Sequence, residues 1–426
     1  MNMKKIKIGL LGCGTVGSAT YEILQMNADK IAQKTGVIIE VAQVFVRSME
    51  KNYPVPKRLL TTNFQNMLDN PELEIIVELM GGIEPASTYM LQALKAKKHV
   101  VTANKAAVAA HYADLIQMSA ENQVMLRFEA SVAGGIPVLD ALQAPLNSNE
   151  IEEVLGIVNG TTNYILTQMI ESGKSYETAL KLAQEKGFAE ADPRADVEGI
   201  DSANKLSILL ALAFDEIVPV ETIPTSGISQ LKSVDIKQAG DLGYKIKLLV
   251  RGKKMEGSLQ ASVQPMLVPK DHMLAAVSNE FNALLIRGNA VGDLLFYGRG
   301  AGGLPTASAA AGDIIEIANA IDKNAAFDTY VNKLSQSQLI FSGEGENAYY
   351  VRLTGQNRPG TLGHITSLFG KNDISIESVT QVAKDECASI VFIIHEIARE
   401  KLDRAIRKIL NLDDVLSVDC ILSVIT

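Results

Sequence analysis

The 426-residue sequence predicts an α/β fold in three parts. These are a region of alternating strands and helices, an α+β region with a mixed sheet, and a compact βαββαβ module at the end. Three observations carry this. Residues 6–11 read as a buried strand that runs directly into Gly12-Cys13-Gly14-Thr15-Val16-Gly17, with helical spacing after it. Residues 245–251, 259–268, 283–287 and 294–297 alternate apolar and polar positions, as strands of a mixed or antiparallel sheet do. From residue 349 the pattern is strand, helix, strand, strand, helix, strand, a ferredoxin-like order.

Composition bounds the function. With 47% hydrophobic residues the chain can bury sizeable cores, and its length suits about two to four domains. A net charge of −9 argues against a nucleic-acid partner, which needs a basic patch. No apolar run approaches the roughly 20 residues of a membrane span, so no membrane partner is expected. The opening MNMKKIKIGLLGCG mimics a short signal peptide, but its apolar run is brief and breaks into glycines, which fits a first buried strand. Cys13, Cys387 and Cys420 are widely spaced and odd in number. They point to a reducing, cytoplasmic setting with neither a disulfide frame nor a zinc site. The five histidines show no metal-ligand spacing.

In order along the chain, the first motif is GxGxxG between strand and helix. Its glycines let backbone approach a pyrophosphate at a helix N-terminus. Residues 1–130 therefore read as a Rossmann-type dinucleotide-binding domain, with Gly12, Gly14, Thr15, Val16 and Gly17 at the cofactor. A tight turn without a ligand is the plain alternative. The second strand, 37–46, ends in Arg47-Ser48 where an NAD site would place a carboxylate. Arg47 suits a 2′-phosphate, with Lys57 or Arg58 nearby, so NADP is favoured; Glu50 keeps NAD open.

Further strands are expected at 74–80, 99–101 and 124–129, with a helix at 87–96 between the first two. Thr102-Ala103-Asn104-Lys105 then opens an alanine-rich helix. A cation is disfavoured at a helix N-terminus, so Lys105 there serves an anionic ligand or is simply a surface residue. The turn 130–137 is rich in small residues and can expose carbonyls, which suits a hard cation. A strand at 151–158 leads through Asn159-Gly160-Thr161-Thr162-Asn163 into a helix. Gly160 and Thr161 can donate to an anionic group, or a threonine there can cap the helix.

Residues 187–205, GFAEADPRADVEGIDSANK, carry the densest chemistry. Acidic residues crowd the segment, and an apolar run follows it. Asp201 and Lys205 are four apart and share a helical face. Such pairs are ordinarily surface ion pairs worth a few tenths of a kcal/mol. Here the helix looks too apolar to have much surface, and a buried lysine needs a reason. The functional reading is a desolvated lysine that moves a proton, with Glu190 and Asp196 gripping an ammonium group. A second glycine-rich loop, 298–306, precedes a small-residue helix at 307–323 that can pack back beside the cofactor. Residues 335–347 read as a linker. The tail helices are expected at 360–370 and 398–410.

The segments GLLGCGTVG, VTANK, FEASVAGGIP, GIVNGTTNYIL, GFAEADPRADVEGIDSANK and GRGAGGLPTA occur in that order. Together they closely resemble homoserine dehydrogenases, over roughly residues 5–320. The tail, with Asn357-Arg358-Pro359-Gly360-Thr361-Leu362, resembles an ACT domain, a small amino-acid-sensing module. The resemblance is to the monofunctional form. It implies NADP-dependent, or NAD-dependent, reduction of L-aspartate 4-semialdehyde to L-homoserine in threonine and methionine biosynthesis, with feedback by an amino acid, expected to be threonine. It implies a dinucleotide domain at 1–130 completed by a helix at 305–335, a catalytic and dimerisation domain at 131–304, and an ACT domain at 349–426. By it, Lys205 is the proton donor and acceptor, and Lys105 lies in the active site. Glu190, Asp196 and Asp201 contact substrate, while Glu129, Val132, Gly134 and Ile136 match a sodium site. Gly302 matches a loop that closes over cofactor and substrate. Phe188 departs from members with tyrosine there, which removes one hydroxyl contact. A homodimer or homotetramer is expected.

The residues present speak against two rival readings. Aspartate semialdehyde dehydrogenase chemistry needs a nucleophilic cysteine, and none of the three cysteines is placed for it. A nucleotide-binding amino-acid sensor without catalysis predicts decay of the lysines or the acidic cluster, and both are intact.

Overall fold

A computed structural model describes residues 3–325, 340–341 and 345–425. The chain divides into two compact units, Met1–Gly160 with Asp201–Ile223 and Glu280–Leu339, and Thr161–Ile200 with Pro224–Asn279 and Ile340–Thr426.

In the first unit a parallel sheet runs in the order Leu60–Thr61, Val37–Phe45, Lys4–Leu11, Leu73–Glu78, His99–Thr102, Leu126–Arg127. Numbered along the chain this is 3-2-1-4-5-6, the order of a doubly wound nucleotide-binding sheet. Parallel sheets are covered by helices on both faces, which is why their strands read as unbroken apolar runs. Ile6, Ile8 and Leu10 are fully buried, as are Ile75 and Val77. Part of the covering layer comes from far along the chain. The Gly303–Asp322 helix places Ala310, Ala311, Ile314, Ile317, Ala318 and Ile321 in the same core. The remainder of the expected 305–335 helix from residue 326 onward lies outside the described residues. The strands Ile151–Ile157, Phe281–Gly288 and Gly292–Arg299 form an antiparallel group in the same unit.

The strand expected at 124–129 is shorter, only Leu126–Arg127. The chain leaves the sheet at Phe128 and makes a 3-10 turn over Glu129–Ser131. The Glu129 carboxylate reaches forward to backbone N–H groups of residues 138–140, and this draws the chain out of strand geometry.

In the second unit Tyr244–Met255 and Ser258–Pro269 form a hairpin closed at Met255 and Ser258. Gly257 in the two-residue loop has φ +70°, the left-handed conformation such turns demand. The C-terminal module has the expected βαββαβ order. Its antiparallel strands lie as Val415–Val424, Glu346–Gln356, Cys387–Ala398, Ile376–Lys384. The helices Thr361–Lys371 and Arg399–Ile409 contribute Ile365, Phe369, Leu402 and Ile409 to its core. Val415–Val424 also pairs in parallel with Ser258–Pro269, through Ser423 with Met266 and Val424 with Leu267. The module is thus hydrogen-bonded into a larger sheet. Of the expected linker 335–347, residues 335–339 and 342–344 lie outside the described residues. Ile340–Phe341 is a short strand against Ser258 and Leu259, and Glu346 already belongs to the next strand. No helix among the described residues is long and apolar enough to cross a membrane.

Candidate active site

The Ile200–Phe214 helix is apolar nearly all round, and Leu206, Ile208, Leu209 and Leu210 are fully buried. Asp201 and Lys205 stand one turn apart on it, each only 7% exposed. Lys205 Nζ donates to Asp201 Oδ2 at 2.6 Å and to the Val158 carbonyl at 2.7 Å. Lys105 Nζ lies 2.9 Å from Asp201 Oδ1. Asn159 Nδ2 donates to Asp201 Oδ2 at 2.9 Å. One buried carboxylate is therefore shared by two lysines and an amide. Burial alone would push the Asp201 carboxyl up, but Lys205, Lys105 and the hydrogen bonds from Lys205 and Asn159 outweigh it and hold it well below its ordinary value. The pair is a buried, hydrogen-bonded unit, not a surface ion pair.

Lys105 opens the Lys105–Asn122 helix, and its surroundings explain its placement. Asn104 caps the helix by accepting from Ala107 N–H at 3.2 Å, and its Nδ2 donates to the Gly82 carbonyl at 2.6 Å. Thr102 Oγ1 donates to Glu78 Oε2 at 2.6 Å, and Met80 N–H to Glu78 Oε1 at 2.7 Å. Glu78 is fully buried at a strand end, and burial pushes its carboxyl up despite these bonds. This latch ties two strand ends together and fixes the start of the helix that carries Lys105. Asn159, Glu78 and Asn104 are site residues that sequence reasoning missed. Only the position of each at or next to a strand end hinted at them.

The glycine-rich turn divides its labour by position. Gly12 has φ +103°, and a Cβ there would meet the Leu79 carbonyl at 2.8 Å. A Cβ on Gly17 would sit 2.2 Å from the Gly12 carbonyl. Gly14, by contrast, faces open space with nothing within 4 Å. It is the N-cap of the Thr15–Met26 helix, and no side chain caps it. Thr15 is exposed and Val16 half-buried in the first turn. The helix N-terminus thus presents backbone N–H groups to an open space, as a pyrophosphate site requires. Gly12 N–H donates to the Phe45 carbonyl at 3.0 Å. That bond sets the end of the second strand beside the turn, and exposed Arg47 follows two residues later. Gly302, with φ +119°, caps the Gly303–Asp322 helix. A Cβ on Gly303 would come 3.3 Å from Thr15 Cγ2, so the second glycine loop abuts the first.

Glu129, Val132, Gly134 and Ile136 fall in one buried turn. Ala133 and Gly134 both have φ +55°, which bends the chain sharply. The Glu129 carboxylate accepts from Val138 and Leu139 N–H at 2.8 and 3.1 Å and from Asp140 N–H at 2.6 Å. Burial and then Asp140 nonetheless push its carboxyl up to about 8.

Gly160 begins the Gly160–Ser172 helix directly after Asn159, and a Cβ there would meet the Glu280 carbonyl at 2.7 Å. Thr161, Glu190 and Asp196 belong to the second compact unit. There Thr161 Oγ1 donates to the Phe188 carbonyl at 2.6 Å, which anchors the start of the acidic segment. The Phe188 ring packs against Tyr164 with centroids 4.9 Å apart. Glu190 is exposed, and Asp196 is half-buried in the short helix Arg194–Val197.

The homoserine dehydrogenase catalytic-domain profile matches residues 137–315, and the NAD-binding-domain profile of the same enzymes matches 12–129. A homoserine dehydrogenase of Bacillus subtilis is 38% identical over 98% of this chain and 97% of its own length. The chain belongs to the homoserine dehydrogenase family. It is an NAD(P)-dependent oxidoreductase. The ACT-domain profile matches residues 349–414. A crystal structure of a homoserine dehydrogenase from Thiobacillus denitrificans superposes with TM-score 0.92 at 39% identity, covering 99% of each chain. A hyperthermophilic archaeal homoserine dehydrogenase mutant in complex with NADPH superposes with TM-score 0.62 at 28% identity, over 74% of this chain and 98% of that one.

Proposed function

We propose that this chain reduces L-aspartate 4-semialdehyde to L-homoserine, with Lys205 as the proton donor. The observation that carries the reading is the Asp201 carboxylate held between Lys205 and Lys105 at 2.6 and 2.9 Å. Reduction of an aldehyde needs a hydride at carbon and a proton at oxygen. Bound NADP(H) supplies the hydride. Lys205 stabilises the developing alkoxide and delivers the proton, and takes it back in the reverse direction. Asp201 keeps Lys205 from swinging away and neutralises part of the two-lysine charge. Lys105 adds a second cation at the anionic end. Glu190 and Asp196 supply negative charge for the substrate ammonium group. Gly160 and Thr161 serve its carboxylate through backbone N–H groups, because the Thr161 hydroxyl is already committed to Phe188.

Arg47 beside the first glycine turn favours NADP over NAD through the 2′-phosphate. A sodium ion fits the 129–136 turn by the chemistry of its donors. With the Glu129 carboxylate engaged by three amides, the ligands would be hard carbonyl oxygens of Glu129, Val132, Gly134 and Ile136. Gly302 gives the loop before the Gly303–Asp322 helix the freedom to close. An amino acid, threonine by the logic of the pathway, acts on the ACT domain, and the protein works as a homodimer or homotetramer.

The test is NADPH oxidation with aspartate semialdehyde, by the parent protein and Lys205→Ala. The expected loss in turnover is about 10²–10⁴, with NADPH affinity nearly unchanged. A variant that keeps near-parental turnover removes Lys205 from the proton path.

A further inference from the structure

We propose that Lys247 is a positioning residue for the substrate's carboxylate: it brings an unneutralised positive charge to the first turn of the Gly160–Ser172 helix. The proposal rests on the reading above that Gly160 and Thr161 receive that carboxylate.

Lys247 lies in the Tyr244–Met255 strand and is 1% exposed. Its Nζ donates to the Val277 carbonyl at 2.5 Å and to Asn163 Oδ1 at 3.0 Å. Both acceptors are neutral. Among the described residues no carboxylate lies within ion-pair distance of it. The charged groups that act on it are Lys245, itself a cation, and Glu171, an exposed carboxylate that accepts from Ser278 Oγ at 3.4 Å. Lysine is almost never fully buried unless paired, because a buried charge is costly. Two neutral acceptors need only a neutral donor, which a glutamine supplies as well. The charge itself therefore has a use beyond holding these bonds.

Its bonds carry that charge to one place. Asn163 stands in the first turn of the helix that opens at Gly160, and it is 1% exposed. Its Nδ2 donates to the carbonyls of Asn279 and Val277 at 2.9 and 3.3 Å, which leaves Oδ1 facing Lys247. Asn279, with φ +58°, donates its N–H to Thr167 Oγ1 at 2.9 Å. Residues 277–279 are thus stitched along the start of the helix by Lys247, Asn163 and Thr167. One turn of helix is about 5 Å long, which puts Nζ roughly 10 Å from the N–H groups that open it. Those groups have no partner inside the helix, and with the helix dipole they already favour an anion. At that range in a protein interior, one unit charge changes the affinity for another by about tenfold. Burial, and then Lys245, lower the Lys247 pKa to about 8, so at pH 7 most molecules keep the charge.

The experiment is steady-state NADPH oxidation at pH 7 by the full chain and by Lys247→Met and Lys247→Gln. The methionine keeps the volume and the glutamine keeps a donor for Asn163; neither keeps the charge. Both should raise KM for aspartate semialdehyde about tenfold or more. The turnover number should stay within about threefold, the pattern of lost uniform binding. L-Homoserine should weaken as an inhibitor by the same factor as KM rises. 3-Aminopropan-1-ol, which is homoserine without its carboxylate, should inhibit parent and variants alike. NADPH affinity, a check on folding, should hold. An unchanged KM overturns the proposal. So does a parental KM in Lys247→Gln alone, which makes the hydrogen bond to Asn163 the whole effect. Equal weakening of the two inhibitors also overturns it, because Lys247 then serves only the fold. A parent protein that does not oxidise NADPH with aspartate semialdehyde fails the underlying reading instead, and does so before either variant is compared.

Discussion

At the residue scale, the surroundings of single charged groups decide what they do. Arg47 is one. It is exposed and follows the strand whose end is bonded to Gly12. Arg47→Ala should weaken NADPH more than NADH, by about tenfold or more in the ratio of kcat/KM values. An equal effect on both cofactors excludes a 2′-phosphate contact. Lys247 is another. It is 1% exposed, and its Nζ donates to the Val277 carbonyl at 2.5 Å and to Asn163 Oδ1 at 3.0 Å. Burial, and then Lys245, lower its pKa from 10.5 to about 8. Between those values the unfolded chain holds a proton that the folded chain lacks, so stability rises with pH across that window. The rise from this group is at most about 3 kcal/mol. Lys247→Met should flatten it, as read from urea midpoints at pH 8 and pH 10; an unchanged slope assigns the rise elsewhere. The Asp201–Lys205 contact is legible in the sequence because its spacing is local, and the place of Lys105 because it follows a strand. It was silent on Asn159, which meets Asp201 across 42 residues, and on Glu78, which meets Thr102 across 24. Partners that distant leave no periodic trace.

At the scale of elements, the two outer glycines of the first turn and the middle one should fail differently. Gly17→Ala forces a Cβ against the Gly12 carbonyl, so it should lower both Tm and NADPH affinity. Gly14→Ala meets nothing in the protein, so Tm should stay within a degree or two while NADPH affinity falls. Scanning fluorimetry with a fluorescence titration separates the two, and a Gly14→Ala protein that binds NADPH normally would remove the pyrophosphate from this helix N-terminus. The strands of the parallel sheet were legible because burial on both faces leaves an apolar run. Residues 124–129 depart from the strand expected there for the same reason. Met125, Leu126 and Phe128 are all buried, yet burial alone does not distinguish a strand from a turn pinned by Glu129. The Gly303–Asp322 helix was legible as a helix. Its near-continuous run of small residues, set against the Thr15–Met26 helix, suits the close approach seen at Gly303 and Thr15.

At the scale of the whole molecule, the C-terminal module is the part whose boundaries mislead. Its pattern reads as a separable βαββαβ domain, and its own core supports that. Yet Ile425 N–H donates to the Leu267 carbonyl at 2.9 Å, and Arg352 bonds Asp235 of the Ser233–Asp241 helix at 2.6 Å. Deleting residues from 348 onward should therefore lower Tm and promote association through the bared Ser258–Pro269 edge, measured by fluorimetry and size-exclusion chromatography. A truncated chain as stable as the parent would show the module to be dispensable for folding. Relief from threonine in such a truncation would mix lost sensing with lost structure, so effector binding is better measured on the full chain. The same pairing has a consequence for synthesis on the ribosome. Leu267 must wait for Ile425, 158 residues later (425 − 267). At roughly 5–20 residues per second that is about 8–30 s. Throughout it the nascent hairpin carries an unmatched strand edge, and neighbouring ribosomes on the same message carry identical ones. Recombinant yield should then depend on translation speed and chaperone supply more than on the final stability of the protein.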